Sequence, residues 1–188
     1  MGNSHRLVLR ICRGGLFLAL LCVIGMFSIP LGDNVKVSLQ WLAVLVICFL
    51  ADGVLDALLV TGCYLLLGLV LPIYAGFSAG FTPTFGFVIG FVVATPVLYF
   101  MNKIPKLHPV LRMALASLSG LLLVYGAGTT FMALYLQWDL GRTLLVSVVP
   151  YLPFDAAKIA LAIAVTMMIP SPARNRIKPK ESGEGKEE

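Results

Sequence analysis

Charge is what this sequence has least of. Of its 188 residues, 12% are Asp, Glu, Lys or Arg and 59% are hydrophobic, with a mean hydropathy of +0.95. Soluble domains carry about 25% charged residues, so the composition excludes a soluble protein and indicates an integral membrane protein. Histidine is nearly absent: His5 and His108 both fall in basic segments, which argues against a metal site. The four cysteines, Cys12, Cys22, Cys48 and Cys63, form no CxxC pair, and three lie inside apolar runs, as expected of small packing residues. There is no internal repeat and no GxxxxGK[ST] phosphate loop, so the chain has no nucleotide site of this type.

What is present is a series of long apolar runs without dyad alternation, the pattern of membrane helices rather than of a barrel. Between Lys36 and Lys103 the only charged residues are Asp52 and Asp56, and there is none from Met113 to Trp138. The runs predict an all-α membrane protein of six transmembrane helices in one bundle, at about 15–31, 39–51, 55–72, 84–102, 112–136 and 143–169. With the N-terminus placed in the cytoplasm, eleven lysines and arginines fall inside and two, Lys36 and Arg142, outside, so the positive-inside rule places both termini in the cytoplasm. The first run has no small-x-small cleavage site and reads as an uncleaved helix. Residues 1–170 form one domain on this reading, and the polar 171–188 a disordered cytoplasmic tail. The net charge of +5 suits anionic headgroups and calls for no nucleic acid.

Two charges interrupt the last run. Asp155 and Lys158 are one helical turn apart and share a face. Pro150 and Pro153 precede them and place a helix start at Phe154 or Asp155. Ionisable groups within a membrane are costly, and two readings account for these: a cap and ion pair without a ligand, or the lining of a polar cavity open to the outside, one group an acceptor and the other a donor. The glycine-rich stretch 74–91, YAGFSAGFTPTFGFVIGF, is either a loop with close helix packing or a cover for that cavity, with Ser78 and Thr84 as neutral hydrogen-bonding groups. Gly15 and Ala19 form a small-xxx-small face, for packing within the chain or for docking a partner subunit. Asp52 and Asp56 are expected at a turn, solvated or paired with nearby arginines.

Several stretches in order resemble BioY, the biotin-specific substrate-capture component of energy-coupling factor transporters. Ile29-Pro30-Leu31 and Val37-Ser38-Leu39-Gln40 resemble the family's IPL and TLQ segments, and Tyr64–Gly68 with Leu71–Ala75 its YLLLG and LPVFA. Thr82–Phe91 is similar to GPTGGYLIGF, Tyr125, Gly128 and Phe131 keep a YxxGxxW spacing, and Pro150–Lys158 resembles PFLPGDLLK with both charges in place. Thr82, Phe85 and Phe154 stand where the family has glycine, and the segments before Pro72 and Thr82 are shorter, departures that bear on affinity or tolerance for relatives of biotin.

The resemblance implies biotin binding from the outside, with Asp155 and Lys158 as ligand contacts and Ser78 and Thr84 as lesser ones. Asp155 would accept from the ureido N–H groups, while Lys158 would donate either to the ureido oxygen or to the carboxylate. It also implies docking, with Gly15 and Ala19 as the candidate face, on a transmembrane coupling subunit driven by two ATPases. ATP is used only by those partners, and no cofactor or metal is expected. The location implied is the bacterial plasma membrane, multi-pass. A capture subunit for another small vitamin is the alternative. A membrane-embedded enzyme with Asp155 as base is disfavoured, because no second catalytic group lies on the outer side. A reporter joined after Ser171 should read as cytoplasmic and one inserted near Asp139 as external; the reverse pattern would overturn the six-span reading.

Overall fold

The computed structural model describes residues 3–30, 36–105 and 107–169; the tail expected at 171–188 lies outside the described residues. Helix α1 (Asn3–Met26) runs into a short antiparallel strand pair, β1 (Ser28–Pro30) and β2 (Lys36–Ser38). Helices α2 (Gln40–Leu50), α3 (Val54–Gly68), α4 (Phe85–Met101) and α5 (Pro109–Leu136) follow. A last segment is built from α6 (Leu140–Ser147), a 3-10 turn (Val149–Tyr151) and α7 (Leu152–Met168).

The architecture is the all-helical one expected, with several boundaries moved for identifiable reasons. The first helix starts at Asn3 and stops at Met26, because the residues from Ser28 pair with β2 instead of continuing the helix. The third stops at Gly68 rather than 72. There the Tyr74 ring folds back to where a side chain at 68 would stand, and its hydroxyl donates to the Leu65 carbonyl at 2.6 Å. The last run is broken at Val149–Tyr151, and α7 begins at Leu152, since a proline in the first helical turn removes no intrahelical bond.

Among the described residues, three segments are long and apolar enough to cross a membrane, at Leu7–Met26, Pro109–Leu136 and Leu140–Met168. The other three helices are shorter. Helix α2 rises only about 16 Å at 1.5 Å per residue, well short of a hydrocarbon core of about 30 Å. It is nevertheless the centre of the bundle, packed against α1, α4 and α7, and all its residues but Leu42 are buried. Enclosed by protein, its ends need not reach the membrane surfaces.

At one end of the bundle the α2–α3 turn is tied to α1. Arg13 pairs with Asp52 at 2.6 Å and Arg10 with Asp56 at 2.7 Å, so the two aspartates take the paired alternative. Tyr99 of α4 donates to the Asp52 carbonyl at the same end. At the other end the loop 69–84 is held by its backbone, Gly76 N–H to the Met26 carbonyl and Gly80 N–H to the Gly68 carbonyl. Both glycines have positive φ, which favours glycine there.

Helices α4 and α5 pack along their lengths at backbone distance. A Cβ at Gly90 would lie 2.8 Å from the Val124 Cα, and one at Gly120 2.7 Å from the Leu98 Cδ2. Small residues that admit a neighbouring backbone are the usual means of helix association in lipid. Thr61 and Thr95 add a buried hydroxyl contact at 3.2 Å between α3 and α4, each also bonded to a carbonyl of its own helix. Gly90→Ala should therefore force α4 from α5 and destabilise the protein by about 1–3 kcal/mol. Gly126→Ala, whose Cβ meets nothing within 4 Å, should be neutral or stabilising by about 0.4–1 kcal/mol. Thermal unfolding in detergent measures both; equal midpoints for the two variants would refute the close packing.

Candidate functional site

Near the strand-pair end the helices leave a cavity of about 290 Å³. Ser38 lines it from the end of β2, Gln40 and Trp41 from the start of α2, Thr84 from the turn before α4, and Phe87, Val88 and Phe91 from α4 itself. Leu121, Val124, Tyr125 and Met132 come from α5, Val146 and Ser147 from α6, and Tyr151, Asp155 and Lys158 from the last segment. The volume lies near the lower end of small-molecule pockets, about 300–1,000 Å³, and the wall is mostly apolar with a few convergent polar groups, as such pockets are.

The polar focus is at the start of α7. Lys158 Nζ donates to Asp155 Oδ1 at 2.7 Å, and the Tyr125 hydroxyl donates to Asp155 Oδ2. Asp155 is 5% and Lys158 8% exposed. Two charges so deeply buried are tolerated because each neutralises the other and both carboxylate oxygens have donors. The first turn of α7 favours the aspartate further through the helix dipole. Of the first reading from sequence the ion pair is found but not the cap, since α7 starts at Leu152 and Asp155 lies within it without a capping bond; the same pair lines the hollow of the second reading.

A second polar chain borders the cavity. Ser38 Oγ donates to Gln40 Oε1 at 3.1 Å, Gln40 Nε2 to the Tyr64 hydroxyl at 2.5 Å, and that hydroxyl to the Ile73 carbonyl at 2.9 Å. It connects the base of the strand pair through α3 to the loop 69–84. The Trp41 ring stacks on Phe91 at 5.9 Å between centroids. Among the described residues, the buried Trp41 Nε1 and Ser147 Oγ have no hydrogen-bond partner. Groups left in this way cost about 1–3 kcal/mol each, and both belong to residues of the cavity wall.

The other candidates separate. Thr84 lines the cavity, with its hydroxyl 3.1 Å from that of Thr82. Ser78 is not among the lining residues; its hydroxyl donates to the carbonyl of Ala75, which is. Gly15 and Ala19 are not among the lining residues; they are exposed on α1, and a Cβ at Gly15 would meet nothing within 4 Å, so packing among the described residues does not account for them. Sequence reading missed Gln40, Trp41 and Tyr125 as members of the wall. Gln40 and Tyr125 stood in two of the resembling motifs, but an uncharged residue in an apolar run gives no sign of what it faces.

Comparison with known proteins agrees with this geometry. No curated protein matches the sequence. The crystal structure of the S-component for biotin from an ECF-type ABC transporter has the same fold, with a TM-score of 0.77 and 22% identity over 95% of this chain and 96% of that one. The model of the BioY family matches residues 3–174. Matched from α1 to beyond the end of α7, the chain belongs to the BioY family.

Proposed function

We propose that this protein captures biotin at the outer face of the cell membrane and delivers it to an ATP-driven energy-coupling module for uptake. The observation that carries the reading is the buried Asp155–Lys158 pair lining a small-molecule cavity in a chain of the BioY family. The S-component for biotin that shares this fold supports the choice of ligand. Biotin combines an apolar thioether bicycle with a ureido group whose N–H donors flank a carbonyl acceptor. Phe87, Val88, Phe91, Leu121 and Val124 supply apolar surface for the first, and the charged pair supplies an acceptor beside a donor for the second. Thr84 contributes at the rim, and Ser78 acts through the loop by fixing Ala75.

The remainder of the function lies in partners. Uptake against a gradient needs a source of free energy, and in this reading ATP hydrolysis by two ATPases, acting through a transmembrane coupling subunit, supplies it. Gly15 and Ala19 on the open face of α1 would receive the coupling subunit, since small residues let another helix approach closely. Both termini lie in the cytoplasm, and the cavity faces outward.

Binding of labelled biotin to the purified protein, with lipoate, thiamine and riboflavin as competitors, tests the ligand. Asp155→Asn and Lys158→Met should each weaken biotin by about 10- to 150-fold, the value of a hydrogen bond to a charged group. Tyr125→Phe, which frees Asp155 Oδ2 without altering the pair, should weaken it by about tenfold or less. Tight binding of another vitamin with none of biotin would overturn the assignment. For docking, Gly15→Leu combined with Ala19→Leu should abolish co-purification with the coupling module while leaving biotin binding unchanged. An intact complex would remove this face from consideration.

A further inference from the structure

The charge balance of the cavity restricts which end of the ligand it can read, an inference that rests on the cavity being a biotin site. Among the described lining residues, Asp155 and Lys158 are the only acid and base, and they are bonded to each other at 2.7 Å. The wall is therefore neutral before any ligand enters. Of the three ammonium donors of Lys158 one is engaged by Asp155, and each carboxylate oxygen of Asp155 holds one donor where it can accept about two. What the pair still presents is a free donor next to free acceptor lone pairs. That suits an uncharged group with N–H beside C=O.

A carboxylate does not suit it. An anion seated on Lys158 would share one ammonium with Asp155, two negative charges side by side, in a region where both residues are over nine-tenths buried. Like charges at such a distance disfavour each other's ionised form, and burial amplifies the effect. The lining residues that are not buried, Thr84 and Val146 and the half-buried Ser38, Ala75, Phe87, Tyr125, Met132 and Tyr151, are all uncharged, so the wall gives a ligand anion no counter-charge there either. The ionised end of the ligand keeps its water only by remaining outside.

We propose that the site reads the ureido-bearing head and is indifferent to the charge at the end of the tail, so that it takes uncharged amides and esters of biotin as well as the free acid. The full-length purified protein is tested with labelled biotin displaced by biotin, biotin primary amide and biotin methyl ester. The three should agree within about fivefold, as expected for a charge that stays in water. An amide and ester weaker than the acid by about 30-fold or more would show a buried, paired carboxylate and overturn the proposal. Lys158→Met supplies a second test: it should weaken acid and amide in the same proportion. Weakening of the acid alone would place the carboxylate on Lys158 and overturn the proposal by a separate route. Failure of biotin itself to bind the unaltered protein would instead refute the biotin reading, and this inference with it.

Discussion

A carboxylate and an ammonium one helical turn apart, buried together at the start of α7, impose the strictest requirement in this molecule. Neither could stand alone at that depth. Much of the surrounding structure can be read as meeting that requirement. Pro150 and Pro153 set the chain for a helix start that puts both residues in the first turns of α7, facing the bundle. Tyr125 reaches from α5 to the oxygen that Lys158 leaves open. Tyr125 can stand there because α5 is held against α4 by glycines on both helices.

The cavity depends on a second feature, the enclosure of α2. A short, nearly uniformly apolar helix at the bundle centre leaves room above its first turn, and Gln40 and Trp41 occupy the floor of that room. The hydrogen-bonded chain from Ser38 through Gln40 and Tyr64 to the Ile73 carbonyl joins the floor to the loop 69–84. The same loop is fixed by backbone bonds to the ends of α1 and α3. The part of the cavity wall that Tyr74, Ala75 and Thr84 supply is thus part of the hydrogen-bonded scaffold.

The two ends of the molecule divide its tasks. At the strand-pair end the polar groups turn inward to the cavity. At the other, Arg10 and Arg13 clamp α1 to the α2–α3 turn, which orients α1 while leaving its small-residue face open. A face held in place but left uncovered by the described residues is suited to a partner helix in the membrane.

Composition and spacing were sufficient for the class of the protein, the number of apolar segments and the pairing of two charges on one helix face, because scarcity of charge, run length and the helical repeat are local properties. The pairing of Asp52 and Asp56 with arginines was likewise readable as one of two alternatives. Folding decided the rest. It showed that the second helix, already short in the sequence, survives by enclosure, that α1 ends where a strand pair begins, and that the last segment is broken by a 3-10 turn. It brought Tyr125 to the charged pair and Gln40 and Trp41 to the wall of the same cavity, and took Ser78 out of that wall. Those residues are uncharged and distant in sequence, and a hollow exists only between helices. Which side chains meet across it follows from how the helices pack, which no single segment encodes.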